Sequence, residues 1–163
     1  MGKTEIELFQ PLASQELVIF VGLPGSGKST LYRRLFAATH AHISLDVLRK
    51  RSRERRALEE HLAAGRSVVV DNTNVLRAER AVYLEIAQRY HVPARCIFFA
   101  TSLKDALRRN AARQGRARIP DVAVIAKYKA LEPPALEEGF TRIQVVRLQD
   151  NGTIVLERDT ISR

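Results

Sequence analysis

The sequence predicts an α/β fold in which a mainly parallel sheet carries helices on both faces. Short apolar segments alternate with amphipathic helical segments, and the connections between them are short. The apolar run 17–21 is typical of a strand buried on both faces. Near the end, segments 141–148 and 153–158 alternate apolar and polar residues around Asn151-Gly152, a strong hairpin signal. We therefore expect five strands in the main sheet and a C-terminal β-hairpin.

The remaining elements follow in a regular order. In chain order we expect a lead-in 1–16, strand 17–21, helix 28–38, strand 41–44, helix 46–64, strand 67–70, helix 77–90, strand 94–100, helix 103–113 and helix 122–131. Gly65 is the expected C-terminal cap of the helix before it, and Pro133 with Pro134 stops the last helix. The length of 163 residues predicts a single domain, with residues 149–163 as a hairpin extension.

A phosphate-binding loop follows the first predicted strand. Residues 22–30 read GLPGSGKST and match G-x-x-x-x-G-K-[ST], with a strand before and a helix after. The expected triphosphate-binding residues are Gly22, Gly25, Ser26, Gly27, Lys28, Ser29 and Thr30. Lys28 is expected to reach the β- and γ-phosphates, and the Ser29 hydroxyl to ligate Mg²⁺. The motif thus predicts a P-loop NTPase fold of the nucleoside-kinase-like type that binds a nucleoside triphosphate.

Two acidic residues end or follow strands on the same rim as this loop. Asp71 ends SVVVD, a pattern typical of a carboxylate that holds Mg²⁺; a helix cap or an Asx turn with Asn72 and Thr73 is the alternative. Asp46 can accept a proton from an attacking hydroxyl, but it equally fits the N-cap of the next helix. Arg49 lies one helical turn after Asp46, so both side chains are expected to face one ligand.

Arg109 and Arg113 are spaced four residues apart in a basic segment. They are expected either to close over the triphosphate and stabilise the transferring phosphoryl group, or to form a solvated basic face. The histidines, in contrast, have no partner at the spacing of metal ligands, and ordinary structural roles are expected for them.

The positive charge is concentrated in two places. The net charge is +9 and the pI is near 10.3. Residues 49–56 and residues 104–118 each carry six cations and one anion, a net +5 for each segment. A polyanionic substrate explains this pattern, and so do two solvated helices with surplus arginine. Because no apolar run approaches the length of a membrane span, we expect a cytoplasmic protein without a membrane partner.

Several stretches together resemble the 5′-hydroxyl polynucleotide kinase family, the AAA-type P-loop kinase domain of phage and animal polynucleotide kinase/phosphatases. The matching segments are GLPGSGKST at 22–30, SLDVLR at 44–49, DNTN at 71–74, RNAARQGRARIP at 109–120 and LEPPALEEGF at 131–140. The first motif is generic to P-loop proteins. The DNTN and RN-x-x-R-x-G segments in this order are much more specific.

The resemblance implies transfer of the γ-phosphate of ATP, with Mg²⁺, to 5′-OH ends of DNA or RNA in nucleic acid end-healing or repair. It puts Asp46 on the general base, Arg113 on the lid arginine that contacts the transferred phosphate, and Arg49 on a residue that holds the acceptor's phosphate. The phosphate loop and Asp71 keep their roles. Leu45 stands where the phage and animal enzymes typically have an arginine.

The resemblance leaves other functions open. The D-x-D-G-T signature of the phosphatase half is absent, which implies the kinase half alone, with a phosphatase or ligase as a separate partner. The same fold also serves kinases of small-molecule alcohols such as a sugar acid, a nucleoside or an antibiotic. A nucleotide-dependent switch or nucleic-acid-binding module without transferase chemistry is the third hypothesis.

Overall fold

The computed structural model describes residues 3–163 and contains one six-stranded sheet. Its strands are β1 (Leu17–Gly22), β2 (His40–Ile43), β3 (Ser67–Val70), β4 (Ala94–Phe99), β5 (Arg142–Leu148) and β6 (Ile154–Ile161). The order is β2-β3-β1-β4-β5-β6; β1 to β5 run parallel, and β6 pairs antiparallel with β5. The predicted fold class is confirmed, and the C-terminal hairpin belongs to the main sheet, where it adds the edge strand.

In the described part of the chain, seven α-helices connect and cover the strands. They are α1 (Glu5–Leu8), α2 (Lys28–Leu31), α3 (Leu45–Leu48), α4 (Arg51–Ala63), α5 (Arg77–Arg89), α6 (Leu103–Ala111) and α7 (Asp121–Ala130). A π-helical turn, Tyr32–Phe36, continues α2, and 3₁₀ turns occupy Gly115–Ala117 and Leu136–Glu138. Among residues 3–163, no helix has the length and apolar character needed to cross a membrane.

Strand β1 lies at the centre of the sheet and is buried on both faces. Leu17, Ile19 and Val21 belong to the apolar core on one face of the sheet, which α4 and α5 cover. Val18 and Phe20 belong to the core on the other face, with the π-helical turn and β6. Because neighbouring residues of a strand point to opposite faces, a strand between two cores needs an unbroken apolar run. The phosphate loop therefore follows the most deeply buried strand.

The helix predicted over 46–64 is wrong as a single element. It is two helices, α3 and α4, separated by a left-handed residue, Arg49, with φ of 67°. A positive φ is uncommon for arginine, so no sequence pattern signals this break. The end of α4 does follow its signal, since Gly65 takes φ of 77° and its N–H donates to the carbonyl of Leu62 at 3.1 Å.

The lead-in packs against the amino end of the sheet. The sequence predicts this lead-in over residues 1–16, of which residues 1 and 2 lie outside the described part of the chain. Thr4 caps α1. Glu16 is fully buried and binds the guanidinium of Arg95 at 2.8 Å, with His40 at 3.4 Å. This buried charge cluster lies at the end of the sheet opposite to the phosphate loop.

Candidate active site

The phosphate loop turns sharply at the carboxyl end of β1. Gly25 and Gly27 adopt φ of 81° and 101°, which L side chains rarely tolerate. The chain thereby reverses before α2 begins at Lys28, with Thr30 half-buried in the helix. The N–H of Gly22 donates to the carbonyl of Thr73 at 3.0 Å. The loop after β3 is thus attached directly to the phosphate loop.

Lys28 lies within the loop that it follows. Its ammonium donates to the carbonyls of Gly22 and Leu23 at 3.0 and 2.8 Å and lies 3.4 Å from the Ser26 hydroxyl. Burial lowers the pKa of Lys28 to about 8, and the negative charge of Asp71 opposes this shift. A cation whose contacts are neutral oxygens is ready to exchange them for phosphate oxygens.

Asp71 and Ser29 meet at the rim in a geometry that fits Mg²⁺. The Ser29 hydroxyl donates to Oδ2 of Asp71 at 3.0 Å, and the carboxylate is buried. Asp71 caps no helix in the described residues, since the cap of α5 is Leu76. Residues 3–163 contain no group of three or more His, Cys, Asp or Glu side chains able to hold a metal ion. One carboxylate and one hydroxyl suit Mg²⁺, which usually takes its other ligands from water and substrate phosphates.

Asp46 lies in the first turn of α3, just beyond the end of β2, and is exposed. The N-cap of α3 is Ser44, whose hydroxyl accepts the N–H of Asp46 at 3.2 Å. The alternative role of Asp46 as an N-cap is therefore wrong, and its carboxylate has no hydrogen bond or salt bridge within residues 3–163. Burial lowers the pKa of Lys28. The negative charges of Asp71 and Asp46 oppose this lowering. The free carboxylate is thus electrostatically coupled to the phosphate loop.

Arg49 lies at the bend between α3 and α4. Its N–H closes the short helix on the carbonyl of Leu45 at 2.8 Å, and its side chain is exposed. The prediction that Asp46 and Arg49 share one face of a long helix is wrong, because Arg49 has left the helical conformation. Both residues still belong to the same short rim segment. Acceptor binding by Arg49 stays a prediction.

The two arginines of the second basic segment have different environments. One Nη of Arg109 donates to the carbonyl of Leu148 at 2.6 Å, and the other is buried without a partner in residues 3–163. The predicted helix 103–113 ends early, at Ala111, so that Arg113 follows it and is exposed. Burial lowers the pKa of Lys28, and the charge of Arg113 lowers it further. The structure therefore couples Arg113 to the phosphate loop and joins Arg109 to the end of β5.

The sequence does not single out His42 as a site residue. Its Nε2 lies 2.9 Å from Oδ2 of Asp71, and its ring stacks on Tyr32 with centroids 4.1 Å apart. The signal for this contact is the pairing of β2 with β3, which sets His42 beside Val69. That pairing is a tertiary feature, and the spacing of histidines along the chain does not reveal it.

These features define a P-loop nucleotide-binding protein. Within that class, the chain belongs to the AAA domain family, whose model matches residues 17–60 and 52–134.

Two curated relatives confirm the resemblance to the polynucleotide kinase family. The chain is 33% identical over 142 residues to the bifunctional polynucleotide phosphatase/kinase of Schizosaccharomyces pombe. The aligned region covers 85% of this chain and 35% of that protein. It is 28% identical over 145 residues to the putative bifunctional polynucleotide phosphatase/kinase of Acanthamoeba polyphaga mimivirus, covering 85% and 34%. The chain spans about a third of the length of these relatives.

Solved structures of other proteins share the fold. Kti12 of Chaetomium thermophilum, in complex with ADP-AlF3, has a TM-score of 0.66 at 18% identity, covering 82% of this chain and 90% of that one. A gluconokinase from Sinorhizobium meliloti has a TM-score of 0.61 at 22% identity, covering 80% and 81%. At these identities the likeness concerns the fold alone.

Proposed function

We propose that this chain is an ATP-dependent phosphotransferase that acts on 5′-hydroxyl ends of DNA or RNA. The observation that carries the proposal is the position of Asp46: its exposed carboxylate lies in the first turn of α3, just beyond β2 on the rim that carries the phosphate loop, and has no hydrogen bond or salt bridge within residues 3–163. A carboxylate in this position can accept the proton of a hydroxyl that attacks the γ-phosphate. The names of the two curated relatives support a polynucleotide as the acceptor.

In the proposed reaction, the 5′-hydroxyl oxygen forms a bond to the γ-phosphorus while the bond to the β–γ bridging oxygen breaks and ADP leaves. Asp46 takes the hydroxyl proton. Lys28 and Arg113 stabilise the charge on the transferring phosphoryl group. Mg²⁺, held by Ser29 and Asp71, would neutralise charge on the β- and γ-phosphates.

Further residues would bind the two substrates. The triphosphate would be bound by Gly22, Gly25, Ser26, Gly27, Lys28, Ser29, Thr30, Arg109 and Arg113. For Arg109, the buried Nη without a partner supports this role, since a buried charged donor normally has an acceptor. Arg49 at the bend after α3 would hold a phosphate of the acceptor strand.

The test is transfer of labelled γ-phosphate from ATP to short 5′-OH DNA and RNA oligonucleotides. Asp46→Asn should reduce the transfer rate by about 10²- to 10⁴-fold, the usual contribution of a general base. ATP binding should be retained, because among residues 3–163 the Asp46 side chain makes no hydrogen bond or salt bridge to the phosphate loop. Lys28→Ala should lose both, and Asp159→Asn, on β6, should lose neither.

Each other outcome has a distinct meaning. Full activity in Asp46→Asn would refute the mechanism. Label on a small alcohol but on no oligonucleotide would make the chain a small-molecule kinase, and slow ATP hydrolysis without any labelled acceptor would indicate a switch. The ratio of labelled DNA to labelled RNA would give the preferred acceptor.

A further inference from the structure

The element that carries Asp46 is too short to hold itself in place. Helix α3 has four residues and is followed by the left-handed Arg49. Isolated helices of this length are unstable, so outside contacts must fix its position. One contact is the side chain of Asn72, whose Oδ1 accepts the N–H of Leu45 at 2.9 Å. Asn72 follows Asp71 in the loop after β3, so this loop touches both the metal-binding carboxylate and the helix of the general base.

Asn72 is in turn held by a buried carboxylate on α4. Its Nδ2 donates to Oε2 of Glu54 at 2.6 Å. The other carboxylate oxygen, Oε1, accepts from the hydroxyl of Tyr83 at 3.0 Å and from Arg51 at 3.2 Å. Glu54 is fully buried. Burial, with the nearby charge of Glu54, raises the pKa of Tyr83 to about 12, so the phenol remains a donor at neutral pH.

The charge of Glu54 decides which way the amide of Asn72 points. An ionised carboxylate only accepts hydrogen bonds, so the NH₂ group of Asn72 must face it. The amide oxygen is then directed to the N–H of Leu45, one residue before Asp46. A neutral side chain at position 54 would permit either orientation, and the reversed amide would present a donor to the Leu45 N–H.

We propose that Glu54 and Asn72 are positioning residues for Asp46: the buried carboxylate orients the amide, and the amide fixes the first turn of α3. This inference rests on the proposed function for its catalytic consequence. Neither residue contacts the phosphate loop in the described hydrogen bonds. The pair should therefore affect the rate of transfer and leave ATP binding unchanged. A displacement of reacting groups by about 1 Å costs about 100-fold in rate.

The test exchanges the donor and the acceptor between the two positions. In Asn72→Asp the Leu45 contact can persist, but two carboxylates then oppose each other, and kcat should fall about 10- to 100-fold. Glu54→Gln alone releases the amide orientation, and kcat should fall as well. The double variant Glu54→Gln/Asn72→Asp restores a matched pair, since the new amide at position 54 can donate to one oxygen of the new carboxylate at position 72. The other oxygen of that carboxylate then accepts from the N–H of Leu45, and most of the lost rate should return.

Two further measurements separate positioning from general destabilisation. Glu16→Gln removes another fully buried, ion-paired carboxylate at the opposite end of the sheet, and it should lower the unfolding free energy without lowering kcat. Amide hydrogen exchange at Leu45 should accelerate in Glu54→Gln and recover in the double variant. The KM for ATP should stay at the wild-type value throughout.

The outcomes distinguish this inference from the proposed function. Unchanged exchange at Leu45, or a double variant no faster than the single ones, overturns the positioning role. If the wild type phosphorylates no oligonucleotide while Leu45 exchange follows the expected pattern, the proposed function fails and the positioning of α3 stands. If Asp46→Asn is inactive while Glu54→Gln and Asn72→Asp keep full kcat, the proposed function stands and the positioning role fails.

Discussion

At the scale of single residues, the environment of Lys28 makes nucleotide binding depend on pH. Burial lowers its pKa from 10.5 to about 8, so the free protein loses this positive charge as the pH rises through about 8. Bound phosphate favours the charged form of the lysine. The affinity for ATP without Mg²⁺ should therefore fall between about pH 7.5 and about pH 9.5, at most tenfold per pH unit. Calorimetric titration at constant ionic strength measures this slope.

Lys28→Met is the control for this prediction. It should bind ATP weakly, and its affinity for ATP should not change with pH. A wild-type affinity that is equally independent of pH would contradict the assignment of Lys28 as the group whose charge controls ATP binding.

The lowered pKa of Lys28 also determines the direction in which folding stability changes with pH. Between about pH 8 and pH 10.5 the unfolded chain holds a proton on Lys28 that the folded chain has lost. Wild-type stability relative to Lys28→Met should therefore rise with pH in that window.

The site residues differ in how far the sequence alone predicts them. Asp46 and Asp71 can be predicted because parallel strands end at one rim. The sequence does not decide whether Asp46 caps α3, because Ser44 offers an equally good capping oxygen. Glu54 gives no signal at all. Its importance depends on a contact with Asn72, which lies 18 residues away in the chain.

At the scale of elements, the C-terminal hairpin packs against the phosphate loop. A Cβ added to Gly27 would lie 2.7 Å from Cδ2 and 3.1 Å from Cβ of Leu148, at the end of β5. The φ of Gly27 is 101°, so alanine would also strain the backbone. Gly27→Ala should therefore lower the unfolding free energy by about 1–3 kcal/mol. Urea denaturation measures the change.

Gly115 provides the matched control. It also has a positive φ, of 60°, but apart from its two chain neighbours a Cβ there would meet no atom of residues 3–163 within 4 Å. Gly115→Ala should incur only the smaller strain of a left-handed residue, about 1 kcal/mol. Equal losses of unfolding free energy in Gly27→Ala and Gly115→Ala would mean that the close contact between Gly27 and Leu148 does not contribute to the effect.

Element boundaries that depend on tertiary contacts are beyond sequence patterns. The apolar spacing of 28–38 predicts a helix, but residues Tyr32–Phe36 form a π-helical turn. In that turn the hydroxyl of Tyr32 donates to the carbonyl of His40 at 2.7 Å, and its ring stacks on His42. These partners lie on β2. The periodicity of the helix itself contains no information about them. Strands such as β1 are predicted well, because a strand buried on both faces consists of an unbroken apolar run that is visible in the sequence.

At the scale of the whole molecule, the two basic segments differ in how much of their charge is available. In the first segment, the cations without a salt bridge in residues 3–163 are Arg49, Lys50, Arg53, Arg55 and Arg56. Only Arg51 there is paired, with Glu54 and Glu79. In the second segment, Arg108 and Arg109 pair with Asp150 at 2.8 and 3.6 Å. The cations of that segment without a salt bridge in residues 3–163 are spread over 15 positions: Lys104, Arg113, Arg116 and Arg118. The uncompensated charge is thus densest along α4, which begins a few residues after the proposed base.

This distribution predicts how the acceptor should respond to salt. If phosphates of a single-stranded acceptor lie along α4, log KM for the oligonucleotide should rise with log salt concentration by about 0.7 for each phosphate contacted. Arg53→Gln/Arg56→Gln should reduce that slope by about 1.4 if both arginines make a contact. The KM for ATP should change little in the variant, because neither side chain belongs to the phosphate loop. Steady-state kinetics between about 50 and about 200 mM KCl supply both slopes.

A second pair of exposed arginines tests whether position or total charge matters. Arg158 lies on β6, and Arg163 follows shortly after β6, where Ser162 bonds to Thr141 at the amino end of β5. Arg158→Gln/Arg163→Gln changes the net charge equally, but on and just after the edge strand β6, whereas Asp46 follows β2 at the opposite edge of the sheet. It should leave the oligonucleotide slope at the wild-type value. Equal reductions in both double variants would show that the acceptor responds to the total charge of +9 rather than to phosphate contacts along α4. At these salt concentrations charges act only over a short range, so binding along α4 should respond only to the arginines of that helix.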